Sequence, residues 1–415
     1  MMTEPRPERF CVIADDLTGA MDTGVGLSKA GLSAIIAFSA SVNVTSDAVV
    51  VTTDSRAESA TEAYRRVKAT GDRYRDYFIY KKVDSTLRGN VAAELQALLD
   101  VTAAPHAVVC PAFPAIKRTV VNGTLLLDGV PVQETSFSRD PVSPVTHSDI
   151  LELLRAGSGI AASNLNLEDV ERGPEHLLQR IRESEHRAVV VDASEDRHLE
   201  CIAAAVAASP ERLLPCGSGG LMAHIPPAFG HSIRGRELPP APDGPVLLAV
   251  GSRNDVSVRQ LQRVLDAIDP PLVRVEPREF RSRAGRVSRA NQLAAQIVQL
   301  FSHSRVVVLS SSLSDYSPQL RHTMAPVLGA VVSRVLATCP LGGLFLSGGD
   351  VARSVCGEEG IQALRILGDL QAGVIVGEVA GMRYQGLRVI TKAGGFGNEN
   401  AMTQAIEHFT QGAQR

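Results

Sequence analysis

FCVIADDLTGAMDTGVGLSKA, residues Phe10–Ala30, sets the pattern of the chain. A short apolar run, Phe10–Ala14, reads as a strand; it ends at two adjacent carboxylates, Asp15 and Asp16, and a helical pattern follows over Leu17–Ala30. Working outward, further strands are expected at Ala48–Thr52, Tyr77–Tyr80, Ala107–Cys110, Ala188–Val191 and Leu213–Cys216. Helices are expected at Ala60–Thr70, Val91–Asp100 and Leu199–Ala208. Strands alternating with helices imply a parallel sheet. Thr119–Val132 breaks the rhythm and reads as a β-hairpin, with Asn122-Gly123 and Asp128-Gly129 as turns. The stretch Arg234–Pro245, RGRELPPAPDGP, holds four prolines and reads as a semi-rigid linker. Beyond it the alternation restarts, with strands at Val246–Val250, Leu272–Val275, Val306–Ser310, Gly343–Leu346 and Leu387–Thr391. The helices of this half are Val256–Ile268, Ala290–Phe301, Gln319–Leu336, Asp350–Val355 and Glu399–Phe409. The expected fold class is α/β: two α/β lobes with mainly parallel sheets and a ligand cleft between them, as residues 1–235, a linker 236–245 and residues 246–415.

Composition narrows the function. The 415 residues are 44% hydrophobic and 21% charged with a net charge of −3, which is ordinary globular composition. It excludes a disordered chain and a strongly basic nucleic-acid binder. Trp is absent and aromatics are 4%, so stacking platforms for single-stranded nucleic acid are poorly supplied. No apolar run is long enough to span a bilayer, and MMTEPRPERF lacks the apolar centre of a signal peptide. The six cysteines stand singly and read as reduced thiols. A cytoplasmic protein that binds neither membrane nor nucleic acid is expected, with a homodimer the commonest assembly for such a chain.

In open parallel sheets the ligand lies outside the carboxyl ends of the strands. The first strand ends in Asp15-Asp16. A helix cap accounts for one acid, but two neighbouring carboxylates repel unless a cation, a metal or a proton joins them. The second strand ends in Thr53-Asp54-Ser55-Arg56. The third runs into Lys81-Lys82-Val83-Asp84-Ser85-Thr86-Leu87-Arg88-Gly89-Asn90, the densest set of polar groups in the chain. Arg suits bidentate carboxylate binding and Lys a phosphate or carboxylate as a point charge. The first half thus reads as built for a small anionic, polar ligand. In the second half the strand ends are Gly-rich: Gly251-Ser252-Arg253-Asn254, Ser347-Gly348-Gly349-Asp350 and Ala393-Gly394-Gly395-Phe396-Gly397-Asn398. Backbone N–H groups at such turns approach anions closely, and three of them suit a nucleoside triphosphate. The sequence holds no GxxxxGK[ST], no GxGxxG at the first strand, no HExxH and no GxSxG elbow.

These residues resemble the four-carbon acid sugar kinase family. The resemblance is carried by Ile13-Ala14-Asp15-Asp16-Leu17-Thr18-Gly19-Ala20 with Asp22-Thr23-Gly24, KKVDSTLRGN (Lys81–Asn90), CPAFP (Cys110–Pro114) and RTVVNGTLLLDGVPVQET (Arg118–Thr135). CGSGG (Cys216–Gly220), SGGD (Ser347–Asp350) and TKAGGFG (Thr391–Gly397) complete it, collinear over about residues 10–410. It implies an ATP-dependent kinase that phosphorylates the 4-hydroxyl of threonate, erythronate or 3-oxo-tetronate, with the acid held by the N-terminal lobe and ATP by the C-terminal lobe. It further implies that Asp15, Asp16, Lys82, Asp84, Ser85, Arg88 and Arg118 line the substrate pocket. Ser252, Gly348, Gly349, Asp350, Val351, Gly394 and Gly395 would contact ATP. The KKVDSTLRGN form is more similar to the threonate/erythronate branch. One position departs: the family commonly has Gly before the Arg-Thr of the CPAFP loop, where this chain has Lys117, which adds an anion contact or narrows the pocket if the loop touches substrate.

The expected mechanism follows from phosphoryl transfer needing positioning and charge neutralisation. Arg88 and Lys82 hold the substrate carboxylate, Asp15 or Asp16 accepts the hydroxyl proton as the catalytic carboxylate, and its neighbour reaches Mg²⁺ through water. No other metal ligands are assigned. Closure of the lobes excludes water. Two other classes stay open at this level: a non-catalytic sugar-acid or nucleotide sensor, and an oxidoreductase.

Overall fold

The computed structural model describes residues 9–39, 42, 44–140, 142–232, 237–276, 280, 283–313, 321–356, 360–381 and 383–411. The chain divides into two compact units, Met1–Gly235 and Arg236–Arg415.

The strands of the first unit are β1 (Phe10–Ala14), β2 (Ala34–Ala37), β3 (Ala48–Thr52), β4 (Phe78–Lys82), β5 (Ala107–Cys110), β6 (Arg118–Val121), β7 (Thr124–Leu127), β8 (Val130–Pro131), β9 (Ala162–Leu165), β10 (Ala188–Val191) and β11 (Leu214–Gly217). Within this unit the main sheet runs β2-β3-β1-β4-β11-β5-β10-β9, and every one of these pairings is parallel. Every residue of β1, β3 and β10 is buried, as continuous apolar strands require when helices cover both faces of a sheet. After β1 the chain winds to one side, through β2 and β3; it then crosses to β4 on the other side of β1. The β1–β4 boundary is therefore a topological switch point, where connections diverge and leave a crevice at the strand ends.

β4 starts one residue later than expected and runs two further, through Lys81 and Lys82, because β1 carries the ladder on: Ile13 is opposite Lys81 and Ala14 opposite Lys82. Successive strand residues face opposite ways. Lys81 consequently turns into the core, fully buried, with its Nζ 2.7 Å from Glu94 Oε2 and donating to the carbonyls of Ile13 and Lys82. The other Glu94 oxygen accepts from Ser55 Oγ at 2.6 Å, which ties the loop after β3 to the same pair. β2 and β9 were not expected. β9 is an edge strand whose ASNL sequence carries no apolar run.

The hairpin forms with a third short strand, β6-β7-β8. Asn122-Gly123 (φ 50° and 71°) and Asp128-Gly129 (φ 51° and 80°) take positive φ at both central positions, as two-residue hairpin turns of type I′ demand. The buried Asp192 carboxylate accepts the N–H of Asn122 and, at 2.9 Å, that of Gly123, so the first turn is pinned to the main sheet.

The second unit holds β12 (Val246–Val250), β13 (Leu272–Arg274), β14 (Val306–Ser310), β15 (Gly343–Ser347), β16 (Ala363–Gln371), β17 (Val374–Val379) and β18 (Arg388–Lys392). Its order is β13-β14-β12-β15-β18-β17-β16; the first five strands pair in parallel and the last two add on antiparallel. That antiparallel pair was not expected. The core packs Val246, Leu248, Val250, Phe345 and Ile390 against Leu261, Val264, Met402 and Phe409. Helix Arg283–Leu300 starts earlier than expected, and helix Arg321–Thr338 runs further, with Gln319 and Leu320 outside the described residues. The described part of the proline-rich stretch is laid onto this unit: Arg388 donates to the carbonyls of Pro239 (2.7 Å) and Pro240 (3.3 Å), and Ala241 is buried. Among the described residues no helix is long and apolar enough to cross a membrane.

Removing one partner of the Lys81–Glu94 pair strands a charge in the core. Lys81→Met should cost about 3–5 kcal/mol of unfolding free energy in urea titrations, and Lys81→Met with Glu94→Leu should recover most of it.

Candidate active site

The site is built where β1, β3 and β4 end together. Arg56, in the loop after β3, sits among three carboxylates. Its Nε and Nη2 donate to Asp15 Oδ2 (2.7 Å) and Oδ1 (3.1 Å), its Nη1 lies 2.9 Å from Asp16 Oδ2, and its Nη2 lies 3.9 Å from Asp84 Oδ1. The adjacent carboxylates thus find the cation their repulsion calls for. Asp16 also realises the simpler reading: its Oδ1 caps the helix Leu17–Lys29 by accepting from Gly19 N at 2.9 Å. Two glycines make room. A Cβ on Gly89 (φ 93°) would meet Arg56 Cγ at 3.0 Å, and one on Gly19 would lie 2.7 Å from Asp16 Oδ1 and 2.9 Å from Lys82 Nζ.

Asp84 receives both forks of Arg88, Nε at 2.9 Å and Nη2 at 3.1 Å, together with the Thr86 hydroxyl. Arg88 Nη1 continues to Asp140 (3.1 Å), and its plane lies over the Phe137 ring at 5.3 Å. The Nε–Nη2 edge of Arg88, expected to serve a ligand, is engaged by Asp84. Arg118, at the start of β6, lies 5.8 Å from the same ring and donates to Ser85 Oγ, while its buried Nε has no hydrogen-bond partner. Lys82 is buried, donates to the Val83 carbonyl (2.9 Å) and, among the described residues, has no carboxylate within ion-pair distance. Of the cations expected here, Lys82 and Arg118 retain donors, and Arg88 has three of its five N–H groups on protein carboxylates, leaving one on each Nη. Arg56 was noted in the sequence as part of a strand end but not placed in the site. The signal was present: Asp54-Ser55-Arg56 is a strand end that carries an acid and an arginine, as Asp84–Arg88 does.

The charges shape acidity. Burial above all, and then the charge of Asp15, push the Asp16 carboxyl up from its ordinary range. Burial also presses upward on Asp84, but the Arg88 hydrogen bond and the Arg56 charge prevail and hold it well below the usual carboxylate range. Burial works against the Arg56 cation, and Asp15 and Asp16 outweigh it. Asp16 keeps 17% of its side chain exposed against 3% for Asp15, so Asp16 is the reachable acid.

Lys117 stands at φ 57°, a left-handed conformation that favours glycine. Its exposed ammonium is 3.1 Å from Asp128 on the hairpin turn.

In the second unit the strand ends bring Ser252, Gly348 and Gly394 together. A Cβ on Gly394 would run into Ser252 Oγ, and one on Gly348 (φ 110°) would meet Ser252 N at 3.4 Å. Gly349 opens the helix Gly349–Val355 with exposed Asp350 in its first turn. Val351 turns its side chain into the core beside Gly251, so only its backbone is available to a ligand. Gly395 is exposed at the tip of its turn. The cradle is lined by backbone and one hydroxyl, which fits a nucleotide's phosphates. Among the described residues no group of three or more His, Cys, Asp or Glu could hold a metal.

A family described as the sugar-binding N-terminal domain matches residues 10–225, and one described as the nucleotide-binding C-terminal domain matches residues 247–402. A D-threonate kinase of Salmonella typhimurium is 32% identical over 97% of this chain and 99% of its own length. A D-erythronate kinase of Heliobacterium modesticaldum is 29% identical over 96% of both. The solved structure of Haemophilus influenzae protein HI1011 superposes with a TM-score of 0.78 at 22% identity, over 96% of this chain and all of that one, and shares the fold.

Arg56→Met leaves Asp15, Asp16 and Asp84 without their common cation and should cost about 3–5 kcal/mol at pH 7. Asp84, held low in the folded state, contributes stability that is present above its unfolded pKa and lost as pH falls through the folded one. The gap between variant and wild type should therefore narrow below about pH 4, read as urea midpoints at the two pH values.

Proposed function

The chain belongs to the four-carbon acid sugar kinase family, a sugar-binding N-terminal domain followed by a nucleotide-binding C-terminal one, and on that premise we propose that it transfers the terminal phosphoryl group of ATP to the 4-hydroxyl of D-threonate or D-erythronate, giving the 4-phospho acid and ADP. The observation that carries the reading is Asp16: a reachable carboxyl, raised by burial and by Asp15, at the switch point of the sugar-binding unit, beside the Lys82 ammonium, to which no carboxylate among the described residues is bonded. The full-length similarity to kinases acting on both acids supports it.

Asp16 accepts the proton of the attacking hydroxyl, and its raised pKa brings it nearer the working pH. Asp15 is tied by both oxygens to Arg56 and keeps that cation in place. Lys82 and Arg118 take the acid's carboxylate with the donors they retain, and Ser85 is set by Arg118. Asp84 and Arg88 form the wall that orders the loop. The backbone of Gly348, Gly349, Gly394 and Gly395, with Ser252, receives the phosphates, and Asp350 and Val351 follow at the start of the helix. Mg²⁺ bound with ATP would neutralise phosphate charge; Asp15 and Asp16 are both paired with Arg56, so either carboxylate would have to leave that contact to hold the metal. Of the six free cysteines four are buried, which suits a reducing compartment, and we place the enzyme in the cytoplasm.

The first test is ADP release with ATP and Mg²⁺ against D- and L-threonate, D- and L-erythronate and the 3-oxo acids. Release that depends on D-threonate or D-erythronate is expected. Release only with a 3-oxo acid would reassign the substrate, and no release with nucleotide binding intact would favour a sensor. Asp16→Asn should lower kcat by about 100-fold or more while ADP affinity stays near that of wild type. Turnover within about threefold, under 1 kcal/mol of barrier, would remove Asp16 from the proposed role.

A further inference from the structure

Lys392 ends β18 and is nearly completely buried, yet no carboxylate is bonded to it among the described residues. Its ammonium is instead surrounded by oxygen acceptors of the turn that follows. Nζ donates to the carbonyls of Ala393 (3.1 Å), Gly394 (2.9 Å) and Phe396 (3.1 Å) and to Ser257 Oγ (3.0 Å). Ser257 passes its own proton to the Gly394 carbonyl at 2.7 Å. One helical turn on, buried Gln260 donates through Nε2 to the carbonyls of Phe396 (3.2 Å), Gly397 (3.1 Å) and Asn398 (2.7 Å). Three side chains thus collect the carbonyls of residues 393, 394, 396, 397 and 398.

A trans peptide carries its C=O and the next N–H on opposite sides. Holding the carbonyls of Ala393, Gly394 and Phe396 inward therefore turns the N–H groups of Gly394, Gly395 and Gly397 outward. No hydrogen bond among the described residues uses the N–H of Gly394 or Gly395. Outward N–H groups with a cation behind them form an anion-binding concavity.

We propose that Lys392 is a positioning residue of the nucleotide site: with Ser257 and Gln260 it clamps the carbonyls of residues 393–398 and so presents the N–H groups of Gly394, Gly395 and Gly397 to the phosphates of ATP. Its ammonium does not touch the nucleotide; it acts through the turn. The proposal rests on the nucleotide-binding reading of the second unit and adds the device that shapes the turn. Burial without an ionic partner also pushes Lys392 down to about 8, which marks the ammonium as costly to keep there.

The test compares ADP binding by calorimetry, and both Michaelis constants, in the full-length wild type, Lys392→Met and Gln260→Met, with melting curves to confirm folding. Gln260 reaches only carbonyls of the turn through its amide nitrogen, so it reports the clamp independently and carries the test if Lys392→Met does not fold. Lys392→Met is expected to weaken ADP binding and raise KM for ATP by about tenfold, with KM for the sugar acid within about twofold; Gln260→Met should shift the same two quantities by a smaller factor. Tight ADP binding in both folded variants overturns the proposal. So does a loss confined to Lys392→Met, which would mean direct contact with phosphate, and so does an equal rise of both Michaelis constants. Absence of ADP binding by the wild type would overturn the nucleotide reading itself, and the clamp with it.

Discussion

Arg56 holds the sugar-binding unit's strand ends together by charge. Asp15 and Asp16 follow β1, Asp84 follows β4, and all three would repel one another in a crevice with little water. One guanidinium answers them, bidentate to the first, single to the second and at longer range to the third. The cation comes from the loop after β3, so the loops that leave three neighbouring strands are tied together beyond the point where the sheet's own ladder stops. Gly89 at positive φ lets that side chain lie close to the backbone. A buried group of this kind gains little net stability, because desolvation offsets most of the attraction. What it secures is geometry: Asp15 has both oxygens on Arg56, and Asp16 is left as the more exposed of the two acids.

Strand alternation then sorts the two lysines of β4. Lys81 faces the core, where Glu94, Ser55 and two carbonyls satisfy it. Lys82 faces the crevice, where it meets Asp16 and the helix start at Gly19. The hairpin contributes at a distance. Asp192 anchors its first turn, and the strand that leads into that turn begins with Arg118, whose guanidinium reaches Ser85. Charge in this unit is carried by side chains at fixed points, as recognition of a small, many-hydroxyl anion requires. In the second unit the work passes to the backbone. Glycines at 348 and 394 bring Ser252 against the turns, and buried donors hold the carbonyls inward.

Much of this was legible from residue order. Short apolar runs ending in polar turns marked most of the strands, and Asn-Gly and Asp-Gly marked both hairpin turns. Where an edge strand has little apolar content, as in β9, or an antiparallel pair follows a parallel sheet, as in β16 and β17, the local pattern was too weak, because such strands are stabilised by their neighbours. The proline-rich stretch read as a spacer, yet Arg388 draws Pro239 and Pro240 onto the second unit. That contact spans some 150 positions in the chain, and no local signal announces it.

By itself the sequence determined the α/β class, the strand ends as the place for chemistry, the acidic and basic groups in the first half and the glycine turns in the second, because each follows from periodicity, turn propensity or residue chemistry read over a few neighbours. Only the tertiary structure decided which of those groups are free to act. Arg88 and Arg56 are both arginines at strand ends, but one is spent on Asp84 and the other spans three strands' loops. Lys81 and Lys82 are adjacent, but one residue of register sends them to opposite faces. A side chain's partners are set by contacts between segments far apart in sequence, and it is those partners that fix which donors and acceptors remain for a ligand.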